Sequence, residues 1–122
     1  MSSRVEQIQN ILTKLKNGHD GVEGCILVTA QGLPIDSAFD GNADEDLISA
    51  MTASISSVSE RVTSELGKGQ INNITILGDY GYIILLDVEM RAVLTVLAKT
   101  DANLGLILLL AKKSCKQLSE LI

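Results

Sequence analysis

Aromatic side chains are almost missing from this chain: Phe39, Tyr80 and Tyr82 are the only ones in 122 residues, and there is no Trp. The core must therefore be aliphatic, and platforms on which nucleic-acid bases stack are lacking. Positive charge is scarce too. Ten Lys and Arg stand against fifteen Asp and Glu, a formal net charge of −5, and no basic cluster exceeds the pair Lys112 and Lys113. Such a surface repels a phosphate backbone, so nucleic acid is not an expected partner. With one Pro and 46% hydrophobic residues, the chain can build a full core without staples. A domain of this length buries roughly two-thirds of its unfolded surface, and one domain over residues 1–122 is expected.

Catalytic signatures are also wanting. Cys25 sits in an apolar run and Cys115 between Ser114 and Lys116, with no His or Cys beside either and no C-x-x-C spacing, so both read as buried free thiols packing as small hydrophobes. Reduced thiols and the lack of a signal-peptide pattern point to the cytoplasm. The longest wholly apolar run, Leu104 to Ala111, is far short of the ~20 residues of a membrane span, so no membrane insertion is expected. The only His, His19, lies in a Gly-flanked turn, and no Ser lies in a G-x-S-x-G elbow. Gly18-x-x-Gly21-x-x-Gly24 precedes a strand, whereas a phosphate-cradling loop follows one, and it reads as a linker with turn residues. Asp40-x-Asn42-x-Asp44 starts like a calcium loop, but Glu45 and Met51 occupy the places of its Gly and its bidentate Glu. No catalytic residue, cofactor or metal is assigned, and the chain is expected not to be an enzyme.

What is present is a regular alternation of elements. Helices are expected over Ser3–Asn17, over a central stretch after the polar loop Asp40–Asp46, and over about Asn103–Leu121. Asn42 and Glu45 resemble a capping box for the central helix, and Gly67 is placed to end it. Strands are expected over Val22–Ala30, Leu33–Phe39, Ile71–Leu77, Tyr82–Val88 and Ala92–Lys99. Pro34 suits a sheet edge or bulge. The short connections force antiparallel hairpins, giving the order α-β-β-α-β-β-β-α. The fold class is α/β in the α+β sense: a five-stranded antiparallel sheet, the two terminal helices on one face and the central helix on the other.

The central helix is the most informative segment. Between Asp46 and Glu60 it carries no charge, and eight of the eleven residues from Ser49 to Ser59 are Ser, Thr or Ala, whereas a solvated helix face normally carries charges. Ile48, Met51, Ile55, Val58, Val62 and Leu66 form an apolar stripe, expected to lie on the chain's own sheet. The small-residue flank, with Ala50, Ser54, Ser57 and Arg61, is expected to meet a second body. A weakly specified surface helix, or burial within one chain, are the alternatives. The strand carrying Ile71 and Ile74 is a candidate edge that could pair across the same two-fold axis. Arg61 and Arg91 could reach a partner's phosphates, though a surface arginine is most often only a solvated charge.

Taken together, GVEGCILVTAQGLPIDSAF, the Ser/Ala-rich helix, GDYGYIILL and AVLTVLAKTDANLGLILLLAKK resemble the roadblock/dynein light chain domain, from about Val5 to Leu121. Asp101-Ala102-Asn103-Leu104-Gly105 is the most characteristic piece. The resemblance implies a roadblock/profilin-like fold and a homodimer with adjacent central helices and sheets continuing across the axis. It also implies a non-catalytic platform for a small Ras-like GTPase, acting on its nucleotide cycle or its placement. The alternative within the same family is a light-chain-type structural adaptor inside a motor or membrane-tethered assembly.

Overall fold

The computed structural model describes residues 3–122. Its elements are α1 (Arg4–Asn17), β1 (Val22–Thr29), β2 (Pro34–Phe39), α2 (Glu45–Glu65), β3 (Asn73–Gly78), β4 (Gly81–Val88), β5 (Ala92–Ala98) and α3 (Leu104–Ser119). The expected order is therefore present. The third strand starts two residues later than read from the sequence, which leaves Ile71 in the segment leading into it.

Polar side chains set the helix starts. Ser3 Oγ accepts the Glu6 N–H at 3.1 Å, and Asn103 Oδ1 accepts that of Leu106 at 3.0 Å. At α2 the cap is Asp44, whose Oδ1 accepts the Leu47 N–H at 3.1 Å, so the capping box on Asn42 is corrected. The helix ends as Gly67 was placed to end it. Gly67 takes φ +71, its N–H bonds Ser64 O, and the Lys68 N–H bonds Thr63 O, a Schellman closure that uses the orphan carbonyls.

The strands form one antiparallel sheet in the order β2-β1-β5-β4-β3. Both β1 and β5 are central, and both are buried along nearly their whole length, which is why neither alternates with polar residues. At one edge lies β2, opened by Pro34 opposite a register shift at Leu27/Val28. At the other lies β3.

Successive side chains point to opposite faces. On one face Cys25, Leu27, Ile84, Leu86, Leu94 and Val96 pack with Ile8, Leu12 and Leu15 of α1 and Ile107, Ala111 and Leu118 of α3. On the other, Ile26, Val28, Leu85, Val93 and Thr95 are buried on the side where α2 packs against β1, β2 and β5. Gly24 lies within β1, inside the expected strand Val22–Ala30 and not in a linker, and a Cβ there would collide with the Phe39 ring. The chain's one Phe thus lies against backbone that only glycine leaves bare.

Candidate protein-interaction surface

Helix α2 sits on the sheet with the side opposite to the one its apolar stripe suggested. Ser49 and Thr52 are 0% and 2% exposed, whereas Leu47, Met51, Val58, Val62 and Leu66 are 48–69% exposed. Ile48 and Ile55 lie between, half-buried. The expectation that this stripe packs on the chain's own sheet is therefore overturned. The reason is spacing. Small side chains let the helix axis lie close to a sheet face already filled by Ile26, Val28 and Val93, and a row of Leu and Val would hold it off. A Cβ on Gly32, at φ +92 in the β1–β2 turn, would come 3.2 Å from Ala53 Cβ, which shows how near the turn approaches.

The polar atoms on this inner side are few. Thr52 Oγ1 and Thr95 Oγ1 share a buried hydrogen bond of 3.0 Å, tying α2 to β5. Ser49 Oγ is buried without a partner.

The residues singled out from the sequence all lie where a partner can reach them, but not as one patch. Ala50, Ser54, Ser57 and Arg61 are exposed on α2. Ser54 Oγ donates to Ala50 O at 3.0 Å, so its hydroxyl is satisfied within the helix. Arg61 Nε meets Glu65 Oε1 at 3.0 Å, with both side chains more than 60% exposed, a geometry of little energetic weight. Ile74 is half-buried on β3 and faces the α2 side with its neighbour Leu85. Ile71, half-buried, lies before β3 and lines a groove beneath the end of α2. Sequence reasoning missed Leu47, and it turned Met51, Val58, Val62 and Leu66 inward. The run of Ser, Thr and Ala was itself the signal, since the smallest residues mark the side of closest approach.

The sheet face beneath α2 is incompletely covered. Ile83, which pairs with Leu97 and Ile76, is 38% exposed on that face. No strand among the described residues pairs with the outer edge of β3. An uncharged apolar helix flank, a partly bare apolar sheet face and an open strand edge thus occur together.

The remaining candidates are structural. His19 Nδ1 accepts the Gly21 N–H at 2.8 Å and shapes the turn into β1. Arg91 donates to Ile122 O and pairs with Glu89, so it is engaged within the chain. Cys25 is buried and donates to Leu12 O at 3.4 Å, and burial pushes its thiol up to about 12. Cys115 is half-buried and is also raised to about 12, by burial and then by the charge of Asp87. Among the described residues no three His, Cys, Asp or Glu side chains gather as a metal site, and no helix is long and apolar enough to cross a membrane.

The family model for the Roadblock/LC7 domain matches residues 8–98. The chain belongs to the Roadblock/LC7 domain family. Among curated proteins it is similar to the uncharacterized protein MJ0714 of Methanocaldococcus jannaschii, 33% identical over 111 residues, covering 91% of this chain and 92% of that one. Among solved structures it is similar to Myxococcus xanthus MglB, with a TM-score of 0.88 at 23% identity over 93% of each chain. It also matches a structure described as MglB with tetrameric arrangement, with a TM-score of 0.90 at 14% identity over 99% of this chain and 91% of that one. At such identities these structural likenesses establish the fold. As a Roadblock/LC7 domain the chain keeps the two terminal helices and the central helix on opposite faces of the five-stranded sheet.

Proposed function

We propose that this Roadblock/LC7 domain is a homodimeric, non-catalytic platform that binds a small Ras-like GTPase in the cytoplasm and modulates its nucleotide cycle or placement. The observation that carries the reading is the exposed apolar row Leu47, Met51, Val58, Val62 and Leu66 in a domain of this family. Clustered apolar surface of this kind marks an interaction site. A second copy is the natural cover, because a two-fold axis lets one helix flank meet its own counterpart. The open edge of β3, with Ile74, would then pair across the axis and remove an exposed ladder. Stable pairs bury roughly 1,200–2,000 Å² in total, so the proposed interface takes in β3 and Ile83 as well as the row on α2.

In this reading Ala50, Ser54, Ser57 and Arg61 form the adjoining strip. Ala50 and Ser54 permit close backbone approach, and Arg61 offers charge at the dimer rim or to the GTPase. The test measures GTP hydrolysis and nucleotide release by a Ras-like GTPase from the same cell, with and without the purified chain. A change in either rate, or a stable complex, is expected. Unchanged rates and no complex would refute the GTPase reading, and would leave the dimer to be judged on its own mass.

A further inference from the structure

On the other flank of α2 from the apolar row, a groove runs between the helix and the β4–β5 turn. Its larger hollow, about 380 Å³, is lined by Glu60, Ser64, Gln70, Ile71, Asp87 and Met90 among others. A second hollow of about 160 Å³ shares Glu60, Asp87 and Met90 and continues between Ser57 and Val93. The two therefore form one elongated depression. At 100° per residue, Glu60 and Ser64 lie roughly opposite Met51, Val58 and Val62, and Ser57 borders the strip of Ala50, Ser54 and Arg61. Glu60 and Ser64 therefore face away from a copy seated on the apolar row.

We propose that the groove docks an extended polypeptide segment of a partner through a Lys or Arg side chain flanked by a short apolar residue. Charge complementarity carries the choice of occupant. Glu60 and Asp87 bring two carboxylates from different elements, and no Lys, Arg or His lines either hollow. Neither acid is in an ion pair among the described residues, whereas nearby Glu89 is held by Arg91 at 3.2 Å. Asp87 Oδ2 accepts the Met90 N–H at 3.0 Å, which leaves its other oxygen for a second donor. A cation hydrogen-bonded to a carboxylate is among the stronger polar contacts, and a chain of net charge −5 attracts such a segment on approach.

The walls give the second half of the specificity. Ile71, Met90 and Val93 are apolar, and a bare amine would leave them unused. Glu89 and Met90 hold φ +51 and +61, a left-handed pair without glycine, a conformation that persists only when its surroundings require it. Here the tight β4–β5 turn, closed by the Arg91 N–H on Val88 O at 3.1 Å, requires it, and the Asp87 carboxylate supports it through the Met90 N–H. The result is a turn that presents Met90, 68% exposed, at the groove. Methionine adapts to varied apolar neighbours, which suits a peptide wall.

The test uses the full chain and a fluorescein-labelled, end-capped peptide Gly-Ser-Val-Arg-Leu-Ser-Gly, with anisotropy read at low salt. Saturable binding is expected, at least tenfold weaker for the E60Q/D87N double variant, for the peptide with citrulline in place of arginine, and for M90A. Asparagine at 87 keeps an acceptor for the Met90 N–H, and E60Q alters only a surface carboxylate. A threefold or greater loss in E60Q alone therefore reads the site even if the double variant melts early. E6Q removes the same charge on α1 and should bind as the parent does. Absence of saturable binding by the parent chain overturns the proposal. So does equal binding by E60Q/D87N, equal binding of the citrulline peptide, or binding of free spermidine as tight as that of the peptide.

Discussion

The sheet face beneath α1 and α3 and the face beneath α2 are finished in opposite ways. On the first, Leu12, Ile107, Leu94 and Val96 are each 0% exposed, and α1 and α3 turn Ile8, Leu12, Leu15, Ile107 and Leu118 inward while Val5, Leu106 and Leu109 stay outside. On the second, α2 presents Ser49 and Thr52 inward and leaves its large apolar residues outside. Helix burial therefore means different things on the two sides. The first side holds the larger aliphatic core, formed by large side chains of both helices and the sheet. On the second, close approach by small residues seats the helix, and the apolar row is left to be covered by something else.

The sharpest contrast comes from equal truncations on the two sides. L12A removes a fully buried side chain and should destabilise the fold by about 2–5 kcal/mol in urea unfolding, because a cavity remains. V62A, at a side chain 49% exposed, should cost about 0.5 kcal/mol or less when unfolding is followed at concentrations too low for association. Equal losses at the two positions would erase the distinction between the faces.

Next in size is the buried hydrogen bond beneath α2. T52V strands Thr95 Oγ1 and should cost about 1–3 kcal/mol, whereas T52V/T95V, which removes both hydroxyls, should recover most of that loss. Failure to recover would mean that the Thr pair does not act as a unit.

The thiol of the closed face gives a pH test. The Cys25 pKa is raised from 9.0 to about 12 by burial, so between those values the folded chain keeps a proton that the unfolded chain has lost. Its contribution is fully present below about pH 9 and is lost as pH rises toward 12. The slope approaches about 1.4 kcal/mol per pH unit. In C25A that part of the decline should disappear from denaturation curves recorded between pH 9 and 11, while the part due to Cys115 stays. An unchanged slope would mean that Cys25 ionises when folded much as it does when unfolded.

Smallest is the effect of S49A. Ser49 Oγ is buried without a partner, so its removal should leave stability unchanged or raise it by about 1 kcal/mol. A loss above about 1 kcal/mol in thermal unfolding would show that the hydroxyl has work to do under α2.

Element order, antiparallel pairing, the edge position of Pro34 and the division of helices between faces were all legible in the sequence. Each rests on local chemistry: helical and strand periodicity, short turns, and the missing N–H of proline. The orientation of α2 was not legible in the same way. Periodicity shows that Met51, Val58 and Val62 share a stripe, but not which body covers it. Both readings have the same spacing, and only the depth of the sheet face under Ser49 and Thr52 decides between them. The groove at Met90 was equally hidden, because it joins residues from α2, the segment before β3 and the β4–β5 turn that only the fold brings together.

The central claim is that the outward apolar row of α2 is covered by a second copy. It is tested most directly by the mass in solution, by light scattering at micromolar concentration, of the parent chain and of the V58E/V62E variant. The account predicts twice the chain mass of 13.0 kDa for the parent and the single-chain mass for the variant, with unchanged helix and strand content. A parent that runs as one chain, or a folded variant that keeps the doubled mass, would contradict it.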